Sequence, residues 1–173
     1  MFSTRTIALF TTLLATLTGA CSARDAQPAA APAVAFECEG GTVRSEADAA
    51  RYAGCESIVG DLSISGSSLT DVSAFRQVRS VSGKLVVTDN ARLISLAGLK
   101  HVSSARAVEI RNNPMLAAYP GLLPALEQVD ESVVVRSNRG ISPAETRAVL
   151  DRIEVRSEQV TINTAQLGGQ RVN

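Results

Sequence analysis

The chain has 173 residues, with Lys+Arg 17 balanced by Asp+Glu 17 and a hydrophobic content of 45%, which is enough for one domain beyond an export segment. An even charge balance argues against a polyphosphate partner, because nucleic-acid binders carry a basic excess or stripe. With no Trp and only 3% aromatic residues, the stacking platforms of single-strand binders and many sugar sites are lacking too.

Residues 1–20 read as a targeting segment that stands outside the fold. Arg5 supplies a thin positive start, and Ile7 to Leu17 (IALFTTLLATL) is apolar but too short for a permanent spanning helix. Leu17-Thr18-Gly19-Ala20-Cys21 follows. These residues resemble the bacterial lipobox, with Thr18 where Leu is commonest. The resemblance implies cleavage before Cys21 and acylation of its sulfur and its new amine, hence a membrane anchor. Several acyl chains hold firmly, since each buried CH₂ contributes roughly 0.8 kcal/mol and one chain alone is marginal. The alternative is an ordinary secretory signal followed by a chance cysteine. By analogy with enteric sorting, Ser22 in place of an acidic residue points to the outer membrane. The expected location is the bacterial cell envelope, facing the periplasm or exposed at the surface.

Residues 21–36 combine the anchor with a linker: Ser22 to Ala35 (SARDAQPAAAPAVA) is rich in Ala and Pro, with no apolar period to bury. The folded body is expected over residues 37–165, with a tail over 166–173. Export leaves Cys38 and Cys55 in an oxidising compartment, which favours a disulfide between them. Closing that loop stabilises by about 3 kcal/mol on the chain-entropy model. Metal ligation is the competing reading of the pair, and it lacks a companion His or Cys. Between the cysteines, Ser45-Glu46-Ala47-Asp48 opens a short helix running to about Ala53. A helix clipped by a disulfide reads as an N-terminal cap.

A repeat follows. The segments DLSIS (61–65), KLVVT (84–88), AVEIR (107–111), SVVVR (132–136) and QVTIN (159–163) start 23, 23, 25 and 27 residues apart. Each is apolar at its second and fourth places, the signature of a strand with one buried face. Six residues after the first four strand starts stand Ser67, Asn90, Asn113 and Asn138. Stacked Asn at one corner can bond backbone groups that a turn leaves unpaired. Further apolar positions recur as Leu69, Leu93, Leu116 and Ile141, then Val72, Leu96 and Tyr119, then Phe75, Leu99 and Leu122. Val78, Val102 and Val129 close each circuit, and Gly60 and Gly83 precede the first two strands. No single circuit buries enough apolar surface to offset the ordering of its chain, so stacking is obligatory. Ser142-Pro143-Ala144-Glu145 then opens a helix to about Ile153, whose Val149 and Ile153 would close the core, with QVTIN as the last strand.

The repeat resembles the receptor L domain, the leucine-rich solenoid of insulin- and epidermal-growth-factor-receptor ectodomains that also occurs in bacterial surface proteins. The likeness rests on Cys38, Cys55-Glu-Ser-Ile-Val-Gly-Asp-Leu-Ser-Ile, Val81-Ser-Gly-Lys-Leu-Val-Val, Leu93-Ile-Ser-Leu-Ala-Gly-Leu and Ile110-Arg-Asn-Asn-Pro-Met-Leu. It spans roughly residues 38 to 140. What it implies is a mainly β fold: a short right-handed parallel β-solenoid, leucine-rich-repeat-like, with short capping helices at both ends. The first cysteine pair would close its N-terminal end. The chain departs from the receptor modules in having few circuits, no further cysteines near the C-terminal end and no partner L domain. Receptor-type hormone binding is therefore not carried over.

Catalytic signatures are lacking. His101 is the only histidine and falls between Lys100 and Val102, where it reads as a solvated turn residue. No G-x-S-x-G elbow, H-E-x-x-H pair, phosphate-cradling glycine loop or zinc spacing occurs. The expectation is a non-enzyme without cofactor or metal. The outward strand residues form two columns: Ser63, Val86, Glu109, Val134 and Thr161, beside Ser65, Thr88, Arg111, Arg136 and Asn163. Arg111 and Arg136 would lie about 5 Å apart on adjacent strands, with Glu109 and Val134 beside them. Two guanidinium forks so placed could grip a carboxylate or a phosphate. The other reading is a solvated ion-pair network. The favoured function is a lipoprotein that contacts a protein or an envelope component. Its alternatives are a structural envelope spacer and, third, a polysaccharide-acting β-helix enzyme, for which the columns offer too few carboxylates.

Overall fold

The computed structural model describes residues 36–117 and 122–155. The lipobox with Cys21, the linker, Tyr119 and the expected strand QVTIN with Thr161 and Asn163 lie outside the described residues. The elements in chain order are β1 (Glu37–Val43), α1 (Glu46–Ala50), β2 (Ser57–Ser65), β3 (Ser80–Thr88), β4 (Ser104–Arg111), β5 (Gln128–Arg136), α2 (Pro143–Leu150) and β6 (Glu154–Val155). Single 3-10 turns, Ser73–Phe75 and Ala97–Leu99, lie between β2 and β3 and between β3 and β4.

The fold is mainly β. All six strands form one parallel sheet in the order β1-β2-β3-β4-β5-β6, so each strand pairs with its neighbours in sequence. Alternation explains the strands, since Leu62/Ile64, Leu85/Val87, Val108/Ile110 and Val133/Val135 are all buried on one side. Strand β1 (ECEGGTV) escapes that signal. Gly41 stands at an inward place, opposite Leu62, without a side chain to bury, and the register with β2 shifts between Glu39 and Gly41; only Val43 is fully buried there.

The strands also begin earlier than the alternation suggests. Gly60 and Gly83, expected ahead of β2 and β3, lie inside them. Gly60 takes a left-handed φ of 93°. A Cβ on Gly83 would collide with the Gly60 backbone and the Asp61 carboxylate. At this kink the Gly60 N–H donates to Ser82 Oγ (2.8 Å), and the Lys84 N–H donates to Asp61 Oδ1 (2.7 Å). Upstream of the kink each strand carries a single inward residue, too little to register as a period.

Between strands the chain returns through columns of buried residues. Cys55, Val78, Val102, Leu126 and Ile153 each donate a backbone N–H to the residue three positions back, which is Tyr52, Phe75, Leu99, Leu123 and Leu150 respectively. This corrects two sequence assignments. Leu126, not Val129, completes the column of Val78 and Val102, and Leu123, not Leu122, continues that of Phe75 and Leu99. Val129 pairs instead with Ala105 inside the sheet. The reason is the longer connection after β4, which moves the count by a residue or more while leaving every candidate apolar, so polarity alone could not choose.

Helices α1 and α2 fall where the intervening connections make 3-10 turns. Both have capping boxes. Ser45 Oγ accepts from the Asp48 N–H at 3.2 Å, and Asp48 Oδ2 accepts from the Ser45 N–H at 3.1 Å; Ser142 and Glu145 repeat the arrangement at 3.2 and 2.7 Å. The helices end at Ala50 and Leu150, three residues short of expectation, and turns carry the chain onward. Cys38 and Cys55 form the expected disulfide, with Cα atoms 5.8 Å apart. This bond points to an oxidising, extracytoplasmic compartment. Among the described residues no helix is long and apolar enough to cross a membrane.

Candidate functional site

Each of the strands β2 to β5 ends on a residue that is followed by a left-handed turn residue: Gly66, Asp89, Asn112 and Ser137, with φ of 57°, 58°, 54° and 57°. The turn aims the next residue inward, which is why polar side chains enter the core at Ser67, Asn90, Asn113 and Asn138. Those asparagine amides bond the backbone of neighbouring strands. Asn90 Nδ2 donates to Ile64 O (2.9 Å), Asn113 Nδ2 to Val87 O (3.0 Å) and Asn138 Nδ2 to Ile110 O (2.9 Å). Each Oδ1 accepts the backbone N–H of the residue one strand earlier: Ser67 to Asn90 (2.8 Å), Asn90 to Asn113 (3.1 Å) and Asn113 to Asn138 (3.0 Å). Ser67 heads the ladder without an amide, and its buried Oγ has no partner.

The ladder fixes where the strands end, and so what stands on their outer side. Ser63, Val86, Glu109 and Val134 are in register, as are Ser65, Thr88, Arg111 and Arg136. Both columns named from the sequence are thus assembled over β2 to β5. Over β2 and β3 the face is hydroxylic: Ser63 Oγ and Ser65 Oγ are 2.7 Å apart, and Thr88 Oγ1 donates to Ser65 Oγ at 3.2 Å. Thr88, expected to point into solvent, is instead 4% exposed.

Over β4 and β5 the face is ionic. Arg111 Nε lies 2.9 Å from Glu109 Oε1, with the two side chains 35% and 34% exposed. The contact compensates charge, but the Nε N–H is not aligned on any acceptor. Arg136, directly beside Arg111 on β5, has no ion-pair partner among the described residues. Val134 is half-buried next to Glu109. The arrangement can receive an anion at Arg136 while Arg111 is already served in part. It offers no nucleophile–base pair.

Elsewhere, a groove of about 400 Å³ lies between α1 and the first 3-10 turn, bordered by Glu46, Ala50, Asp71, Arg76 and Gln77. Asp71 accepts from the Ser73 hydroxyl and N–H, which hold its carboxyl below the usual carboxylate range. This is turn chemistry. His101 is exposed in the turn after the second 3-10 segment. Among the described residues no group of three or more His, Cys, Asp or Glu stands close enough to hold a metal ion.

The sequence reading did not find the left-handed column. Its signal was available in Gly66, Asp89 and Asn112, residue types that tolerate positive φ, at one fixed place before each ladder residue; Ser137 hides it. Comparison with protein-family models, curated proteins and solved structures finds no match to this chain.

Proposed function

We propose that the chain is a membrane-anchored envelope lipoprotein, acylated at Cys21, whose body is a short L-domain-like parallel β-solenoid that contacts a protein or another envelope component without catalysing a reaction. The observation that carries the reading is the parallel pairing order from β1 to β6, in which every strand pairs with its sequence neighbours. It makes the outer face of β2 to β5 an array of fixed side-chain columns. Such a face suits display and contact, and the disulfide suits an exported protein. The contact surface is assigned to Glu109, Arg111, Val134 and Arg136, where two arginines stand in register on adjacent strands beside a single carboxylate.

Two measurements test the two halves of this reading. Labelled palmitate should enter the full chain and be lost in Cys21→Ser; equal incorporation in both would remove the anchor. Proximity labelling in the native cell should give a neighbour set that collapses in the Arg111→Glu/Arg136→Glu variant at unchanged protein level. An unchanged set would favour a spacer without specific contact.

A further inference from the structure

Five arginines gather near the C-terminal ends of the strands. Arg44 directly follows β1, Arg111 and Arg136 end β4 and β5, and Arg92 and Arg139 stand in the turns beyond β3 and β5. Against these five, the same edge carries Glu109 and Asp89, and Asp89 Oδ1 is engaged by Asn112 Nδ2 at 3.0 Å. The opposite strand ends are acidic on balance, with Glu37, Glu39, Glu56, Asp61, Glu127, Asp130 and Glu131 against Arg79, Lys84 and Arg106. A balanced chain therefore has a polarised face, and like charges on adjacent strands repel unless an anion lies between them.

Resting on the contact face proposed above, we infer that Glu109 is an internal stand-in for a ligand carboxylate, and that the partner presents an acidic peptide segment to Arg111 and Arg136. Glu109 reaches Arg111 from the same strand two residues away. That short tether brings Oε1 to 2.9 Å without aligning it on the Nε N–H. A carboxylate arriving from outside is free of the tether, so it can meet the planar fork in bidentate geometry. It can also neutralise Arg136, which Glu109 leaves without an ion-pair partner. Glu109, Arg111 and Arg136 together carry one net positive charge, which one carboxylate cancels. A phosphate dianion would overshoot it. Half-buried Val134 beside them gives an apolar shoulder for the stem of an Asp or Glu side chain. In the free protein Glu109 weakens binding by competing for Arg111, and it keeps the face from capturing anions indiscriminately.

The test uses the full chain in detergent micelles and a fluorescent hepta-glutamate peptide at low salt, with hepta-serine as control. Glu109→Gln should tighten hepta-glutamate binding several-fold, to about tenfold, because it frees Arg111 and removes a like charge. Arg136→Gln should weaken it by about tenfold. Neither change should alter the melting temperature appreciably, since both side chains are partly solvated. Unchanged or weaker binding by Glu109→Gln overturns the stand-in role. Preferential adsorption to phosphatidylglycerol vesicles, with no peptide binding, overturns the acidic-peptide assignment in favour of a lipid surface. If Arg111→Glu/Arg136→Glu abolishes the neighbour set in cells while Glu109→Gln leaves peptide affinity unchanged, the contact face stands and this inference alone fails.

Discussion

Asn113 Oδ1 accepts two hydrogen bonds from Asn90, one from its backbone N–H at 3.1 Å and one from its side-chain amide at 3.0 Å. Asn138 does the same for Asn113, at 3.0 Å in both cases. One residue type, repeated at one corner, thus links neighbouring strands through buried groups whose alternative partners would be nothing at all.

Removing a middle member should therefore be severe. Asn113→Ala strips partners from the Asn90 N–H and side-chain amide and from Val87 O together. An unfolding free-energy loss of about 3 kcal/mol or more is expected in urea titration, from roughly 1–3 kcal/mol per stranded buried group. Ser67→Ala should change stability by less than about 1 kcal/mol, because the hydroxyl it deletes is unpartnered. Equal effects of the two substitutions would contradict the ladder.

The left-handed column makes a prediction of the opposite sign. Ser137 holds φ 57° at an exposed corner where Gly66, Asp89 and Asn112 occupy the equivalent places. Ser137→Gly or Ser137→Asn should raise stability by about 0.5–1 kcal/mol through relief of that conformation. Thermal melting of both variants checks it, and a loss in both would show that the Ser137 backbone is not left-handed.

Gly98 marks a close approach of neighbouring connections, for a Cβ there would drive into the Val72 carbonyl. Gly98→Ala should cost about 2 kcal/mol or more. Ala97→Gly, at the adjacent exposed position, should cost about 1 kcal/mol or less. A tolerated Gly98→Ala would mean that the connections do not pack this closely.

Acid should weaken both helix caps. Ser45 hydrogen bonds lower the Asp48 pKa, assisted by the Arg44 N–H, and the Ser142 N–H and hydroxyl lower that of Glu145. A carboxyl with a depressed folded pKa binds protons more readily when unfolded, so its contribution is complete above the ordinary carboxylate range near pH 4. That contribution disappears as pH falls through the lower folded values. The melting temperature should drop below about pH 4, less steeply in Ser45→Ala/Ser142→Ala than in the parent. Parallel profiles for the two proteins would dissociate the caps from the acid limb.

Much of the sheet was legible because Leu62/Ile64 and their successors alternate so regularly that strand position and inward face are both fixed. The asparagine ladder and the juxtaposition of Glu109, Arg111 and Arg136 followed from that spacing alone. Three features were not legible. Strand β1 holds its place by backbone pairing with glycines inside it. The kinks at Gly60 and Gly83 interrupt the period that would have revealed the upstream halves. In the connection after β4, Leu122, Leu123, Leu126 and Val129 are all buried, so hydropathy could not decide which belongs to which column. At the site, the register placed the residues together, but the direction of the Nε N–H depends on a rotamer that no pattern encodes.

The most direct test of the account is the pairing of strands separated by some two dozen residues. In solution, amide and Hα resonances of Val86 should show contacts across both neighbouring strands, to the Ser63 and Glu109 positions, in the staggered pattern of parallel pairs. Strong Hα–Hα contacts, the mark of antiparallel neighbours, or contacts from Val86 to residues out of this register, would contradict it.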